Sequence, residues 1–296
     1  MKIRNRTREA AGGYLFALPW LVGLSIFVFY PFIANIFYSF TEYNIIESPV
    51  WVGIDNYKVL MHDSLFWKSL YNTIYYSAVV PLQLIIALLL ALFLNQKVRG
   101  QRYFRTFFYL PVLVPLVASS VLWKWMLSPN YGLVNSLLYK IGIDGPGWFA
   151  SESWSKPGLI LMGTWTVGGA MIIFLATLQD IPQVLYEAAE IDGATTFKKT
   201  FHITLPLLTP AIFFNLIMGI IGSFQVFTQA YIITEGGPMY STTFYVLYLY
   251  NNAFKFFRMG RASAMALILF IVIFIITLFI VKTSSKWVYY EAGGRK

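Results

Sequence analysis

The sequence predicts an all-α membrane protein with six transmembrane helices, on three observations. Of its 296 residues, 58% are hydrophobic, 19% are aromatic and only 12% are charged, against about 25% charged in a soluble domain. Six stretches of 18 to 32 residues contain no Asp, Glu, Lys, Arg or His, so each is about long enough to cross a bilayer. The net charge of +9 is gathered at the ends of those stretches. That is how a membrane topology signal is distributed, and it argues against a nucleic-acid partner. The absence of cysteine excludes disulfides, thiolate metal sites and a Cys nucleophile. The chain reads as a single transmembrane domain.

The first helix is expected over residues 13–40. Lys2, Arg4, Arg6 and Arg8 precede it, and the 32 residues between Glu9 and Glu42 carry no charge. A basic start before an apolar run also describes a signal peptide, but this run is too long and no small-x-small cleavage site follows. It is read as a retained helix. The remaining helices are expected at 70–95, 103–127, 157–179, 205–232 and 262–285. Pro31, Pro81, Pro111, Pro115 and Pro210 lie inside or at the edges of the six runs, where neighbouring helices can satisfy the backbone groups they free.

Six spans place both termini on one side. On that side fall Lys2, Arg4, Arg6, Arg8, Lys97, Arg99, Arg102, Arg105, Lys198, Lys199, Lys282, Lys286, Arg295 and Lys296, 14 of the 22 Lys and Arg residues. The other eight are spread over longer loops. The denser side is expected to be cytoplasmic, which puts both termini and the 180–210 connection there. The opposite loops, 41–67, 128–155 and 235–260, hold Trp51, Trp67, Trp148 and Trp154, as in an outer aromatic belt.

The 180–210 connection, DIPQVLYEAAEIDGATTFKKTFHITLPLLTP, is longer than the roughly 2–8 residues that join packed helices. Asp180 is placed to cap a short helix, with Pro182 in its first turn and Gln183 three residues on. Asp192-Gly193 supplies a left-handed stop. Thr195 is placed to cap a second helix that fades before Leu205-Pro206. In the first helix Val184, Leu185, Ala188 and Ile191 share one face, and Gln183, Glu187 and Glu190 the other. Ala188 and Ala189 keep it slim. A helix of roughly ten residues is marginal alone; it either rests on the membrane interface or lies in a groove of another protein.

Glu187-Ala188-Ala189, then Asp192-Gly193-Ala194, Ile203, Leu205-Pro206 and Pro210 resemble the EAA loop of ATP-binding-cassette importer permeases. A Thr-x-Gly-Gly-Pro segment at 234–238, continuing into an aromatic-rich stretch, is similar to the segment after the fifth core helix in that family. The whole chain resembles the six-helix, type I form of the carbohydrate permeases, such as those for maltodextrins. The resemblance implies a cytoplasmic coupling loop at 180–204 that docks into a separate ATPase subunit. Within it, Glu187 would pair with a basic group, Ala188 and Ala189 would permit close docking, and Gly193 would set the bend, with Asp192 and Ala194 beside it. It also implies two ATPase subunits carrying ATP and Mg, a second, different permease chain, an extracytoplasmic solute-binding protein, and transport by alternating access.

The chain has no G-x-x-x-x-G-K-[ST] string, so it has no P-loop of its own, and no catalytic site or cofactor is assigned to it. His62 and His202 are expected on opposite faces, which excludes a paired-His metal site. No acid lies within a span, which argues against a proton-driven carrier. The polar groups left at depth are neutral. Asn215, Gly219, Gly222, Val226 and Gln229 form a stripe on the fifth helix, flanked by Ser223 and Gln225; Trp165 and Thr166 lie on the fourth. Two roles are open for the stripe: helix packing through the glycines, or a pathway lining that hydrogen-bonds a neutral polyhydroxyl solute. Lys124 is expected to snorkel to the outer interface. The function expected is import of di- or oligosaccharides. A stand-alone carrier or channel for small neutral solutes is the alternative.

Overall fold

The computed structural model describes residues 2–96 and 99–289, with side chains from Gly13 onward. Lys97, Arg295, Lys296, the side chains of Lys2, Arg4, Arg6 and Arg8, and residues 291–296 lie outside the described residues.

Helices α1 (Lys2–Leu24) and α2 (Tyr30–Ser39) are joined through a π-helical turn at Ser25–Phe29. A two-stranded antiparallel hairpin comes next, β1 (Thr41–Glu42) and β2 (Val50–Trp51), with Thr41 opposite Trp51. Then come α3 (Asp55–His62), α4 (Ser64–Ser77), α5 (Val79–Asn95), α6 (Gln101–Leu113), α7 (Leu116–Met126) and α8 (Leu133–Lys140). After them stand α9 (Glu152–Thr164), α10 (Gly168–Asp180), α11 (Gln183–Ile191) and α12 (Thr196–Lys199). A second π turn at Thr200–Thr204 leads into α13 (Leu205–Phe224), with α14 (Thr228–Ile233), α15 (Tyr245–Tyr250) and α16 (Met259–Ser284) completing the chain.

Among the described residues, four helices are long and apolar enough to cross a membrane: Gly13–Ser39, Ser64–Asn95, Thr196–Ile233 and Met259–Ser284. Two bent pairs, α6 with α7 and α9 with α10, raise the count to six if each pair is one span. The third expected helix, 103–127, is therefore not continuous. It breaks at Val114-Pro115, and the halves meet at 99°. Pro115 holds Val114 in an extended conformation, with ψ 125°, because its ring clashes with an α-helical predecessor. The fourth helix bends by 42° between Thr164 and Gly168.

Two compact units form. One comprises Met1–Asp63 and Leu249–Ile271. In it Asn56 Nδ2 donates to the Ser39 and Thr41 carbonyls at 3.0 and 2.9 Å, fastening the hairpin to α3. Phe32 meets Phe270 edge-on at 5.3 Å. The other comprises Ser64–Tyr248 and Val272–Lys296 and holds two apolar clusters. Ala87, Ala91 and Leu94 of α5 meet Met171, Phe174 and Leu178 of α10 in one of them. The small residues at i and i+4 let the helices approach closely. Tyr76, Val79, Trp123, Trp148, Leu159 and Phe244 centre the second. Trp148 is thus a core residue, unlike the half-exposed Trp51, Trp67 and Trp154. Its indole donates to Asn135 Oδ1 at 2.6 Å, which satisfies the one polar group that would otherwise keep it at the interface.

Candidate functional site

Two features stand out in the second unit: the short helix α11 with its flanking turns, and a polar-lined cavity.

Asp180 does not cap α11. It is the last residue of α10, Ile181 is extended, and Pro182 occupies the capping position. The proline's missing N–H costs nothing there, because the first-turn donors have no helical acceptor. The C-terminal stop forms as the Asp192-Gly193 pair predicts. Gly193 has φ +71°, its N–H donates to the Glu190 carbonyl at 3.0 Å, and the Ala194 N–H donates to the Ala189 carbonyl at 2.8 Å. Those two bonds make a Schellman cap, and Asp192 is the residue that closes the helix. Thr195 caps α12, accepting from the Lys198 N–H at 3.4 Å. The second helix does not fade before Leu205-Pro206. It continues through the π turn into α13. Pro206 falls in the first turn of α13, where the bonding returns to the α pattern and a missing donor is tolerated.

No residue of α11 is buried. Val184 and Ile191 of its apolar face are 69% and 88% exposed, and Glu187 and Ala188 are exposed beside them. Phe197 and Phe201, whose rings are 4.4 Å apart, are exposed as well. The helix is anchored from its other side. The Tyr186 hydroxyl and Thr204 Oγ1 are hydrogen-bonded at 3.0 Å, and Lys199 pairs with Glu190 at 2.7 Å. Tyr186 is not among the sequence candidates; its place opposite the exposed stripe is the signal that could have found it.

The cavity, of about 310 Å³, is lined by Tyr76, Gln83, Thr166, Gly222, Gln225 and Gln229, among others. Three of the five polar pathway candidates, Thr166, Gln225 and Gln229, thus converge on one space. The other two do not line it. Asn215 turns its amide back to the Ala211 carbonyl at 2.8 Å, because an amide at that depth takes the nearest acceptor on its own helix. Trp165 packs edge-on against Trp123 at 6.0 Å in the apolar cluster. Gly219 and Gly222 divide between the two roles left open. A Cβ on Gly219 would press on Val80, whereas one on Gly222 would meet nothing within 4 Å.

Gln83, absent from the sequence candidates, is placed by the fourth-helix break. Its Nε2 donates to the Gly163 carbonyl at 2.6 Å, which the Thr166 hydroxyl also reaches at 3.0 Å. A bend in a spanning helix frees carbonyls that lipid cannot satisfy; an amide on the neighbouring helix does so. Gln83 was visible as the one amide in the run VVPLQLIIALLL. Lys124 also has a defined partner, donating to the Ile232 carbonyl at 3.2 Å at the C-terminal end of α14, where a cation is favoured. Outside the spans, burial raises the pKa of the Tyr245 phenol above its ordinary value. Among the described residues no group of three or more His, Cys, Asp or Glu is placed to hold a metal.

Residues 83–288 match the family model described as binding-protein-dependent transport system inner membrane component. The chain belongs to this family. The matched part of the permease holds α11, its caps and most of the cavity wall, while α1 to α4 precede it. A probable ABC transporter permease protein, YesP of Bacillus subtilis (strain 168), is 43% identical over 98% of this chain and 96% of its own. The lactose transport system permease protein LacF of Rhizobium radiobacter is 39% identical over 82% and 84%. Among solved structures, a chain of a bacterial alginate ABC transporter, in complex with an alginate pentasaccharide-bound periplasmic protein, superposes with a TM-score of 0.81. It is 25% identical and covers 96% of the permease and 97% of that chain. The permease is a multi-pass inner-membrane component of an ABC importer.

Proposed function

We propose that this chain imports di- or oligosaccharides as half of the translocation pathway, and that α11 with its caps receives work from a separate ATPase. The observation that carries this reading is the exposed stripe of α11. Val184 and Ile191 stand in the open on a capped helix, with Leu185 partly exposed beside them, and covering Val184 and Ile191 would contribute about 1–3 kcal/mol each. A groove in a soluble partner supplies that cover, with Ala188 and Ala189 admitting close approach and Glu187 facing a basic group. Both termini are cytoplasmic in this reading. Two ATPase subunits hold the ATP and Mg, and this chain binds no cofactor and catalyses no reaction. A second permease subunit, a different chain, completes the pathway, and an extracytoplasmic binding protein delivers the solute. Alternating access is the mechanism: closure of the ATPases on ATP draws the coupling loops together and opens the cavity outward. Lactose and alginate, the solutes named for LacF and for the structural neighbour, support a sugar substrate, and amide-lined walls suit its hydroxyls.

The test is reconstitution of the purified complex with its binding protein, measuring ATP hydrolysis across a panel of sugars. Stimulation by at least one oligosaccharide is expected. Solute movement by this chain alone, without ATP, would support the stand-alone carrier instead. Within the complex, Gln229→Leu removes one hydrogen-bonding group from the cavity wall. Uptake is expected to fall by about 2- to 10-fold, the worth of a hydrogen bond of about 0.5–1.5 kcal/mol, with assembly on the ATPase unchanged. Loss of assembly would assign Gln229 to packing.

A further inference from the structure

The Thr-x-Gly-Gly-Pro segment lies apart from α11 and lines no part of the cavity, yet side chains of α4 and α9 hold it at several points. Residues 234–244 leave α14, whose Thr228 and Gln229 line the cavity, and end at Phe244, whose ring lies 5.2 Å from that of Tyr76, also a cavity residue. The loop is thus joined at both ends to the cavity wall. Four of its first seven residues have left-handed backbones: Glu235 (φ +53°), Gly236 (+93°), Met239 (+49°) and Tyr240 (+59°). For non-glycine residues that conformation costs about 1–3 kcal/mol each and persists only where surrounding contacts over-determine it.

Those contacts come from α4 and α9. Asn72, fully buried, donates through Nδ2 to the carbonyls of Tyr240 at 2.9 Å and Thr243 at 3.1 Å. Its Oδ1 accepts from Lys156 Nζ at 3.0 Å. The amide is therefore fixed in one orientation, since a lysine has nothing to accept with. Lys156 is itself held over the rings of Tyr71 and Tyr75, 5.1 and 5.0 Å from their centroids. Lys68 Nζ donates to the Met239 carbonyl at 2.7 Å and pairs with Glu152 at 3.5 Å. The hydroxyls of Ser155 and Ser241, both fully buried, are bonded at 2.8 Å. Thr73 Oγ1 accepts from the Tyr245 N–H at 2.9 Å. The carbonyls gripped include those of Met239 and Tyr240, two of the left-handed residues.

We propose that residues 234–244 form a gate over the outer end of the cavity, latched by Asn72 and by the Ser155–Ser241 hydrogen bond, and that the latch opens in each transport cycle. A loop held by a few side-chain bonds against its own backbone preference is bistable: releasing the bonds and relaxing the backbone offset one another. Asn72 is then a positioning residue, with Lys156 orienting its amide. The gate rests on the transport reading and on the orientation that places this loop outside.

The chain has no cysteine, so a Ser155→Cys/Ser241→Cys pair introduces a single disulfide across the latch. In the reconstituted complex the reduced pair is expected to take up solute like wild type. The oxidised pair, with cross-linking verified by mass spectrometry, should lose about tenfold or more of its uptake, as when a lid is prevented from opening, and regain it on reduction. Full uptake by the cross-linked form overturns the gate. So does failure to cross-link, since the hydroxyls already lie within bonding reach. ATP-independent uptake, or none by the wild-type complex, defeats the transport reading itself. The opposite variant, Asn72→Leu, should raise ATP hydrolysis without binding protein about fivefold by weakening the closed state, as should Lys156→Met, while Lys156→Arg restores the wild-type value. An unchanged basal rate in Asn72→Leu also overturns the proposal.

Discussion

Gly193→Pro should abolish solute uptake and binding-protein-stimulated ATP hydrolysis, while the protein still inserts in the membrane. Two effects coincide. Proline fixes φ near −65°, whereas Gly193 sits at +71°. It also removes the N–H that Gly193 donates to the Glu190 carbonyl. The end of α11 and the turn towards Thr195 cannot both survive. Gly193→Ala separates the two effects. Nothing lies within 4 Å of a Cβ at this position, so the only cost is the left-handed backbone, about 1–2 kcal/mol, and the N–H remains. Partial activity is expected there. A bulky residue at Ala188 attacks the same function from the partner's side, obstructing the approach without disturbing the helix. Measuring uptake and ATP hydrolysis together checks the set. Normal uptake in both Gly193→Pro and Ala188→Trp would defeat docking through α11.

A large effect on stability is expected at Gly168. A Cβ there would run into the backbone of α6 at the Phe108 carbonyl and lie 2.9 Å from Tyr109 Cα. Backbone cannot swing aside as a side chain can, so Gly168→Ala must push α6 and α10 apart. The cost should reach or exceed the upper end of the about 1–3 kcal/mol typical of overpacking. Gly169 is the control: its Cβ would meet nothing within 4 Å, and an alanine in the first turn of α10 should be neutral or slightly stabilising. Thermal unfolding of the two detergent-solubilised variants reads the difference. Equal melting temperatures would show that α6 and α10 do not meet this closely.

In the 180–204 loop the stop at Asp192-Gly193 and the cap at Thr195 were legible because their signals are local, whereas the lack of a cap at Asp180 and the continuation of the second helix were not. Asp192-Gly193 makes the Schellman cap and Thr195 makes its cap, since each needs only neighbours within a few positions in the chain. Asp180 failed as a cap for a related reason. Apolar residues up to Leu178 pack between α5 and α13 and draw α10 through to Asp180, and Pro182 takes the capping place. The cavity was half legible. Gln225 and Gln229 were singled out on the fifth-helix stripe and Thr166 on the fourth helix, but so were Asn215 on the same stripe and Trp165 beside Thr166, which turn instead to the Ala211 carbonyl and to Trp123.

By itself the sequence determined which segments are too apolar for water, where charge gathers at their ends, and where a helix must stop. Those are consequences of transfer free energy and of backbone conformation, both properties of short stretches. Only the tertiary structure decided that Gln83 spans to the broken fourth helix, that Tyr186 and Thr204 seat α11, and that Asn72 grips a loop some 170 residues away. Each of those hydrogen bonds exists because burial leaves a polar group no water to bind, and which group meets it depends on how the helices pack.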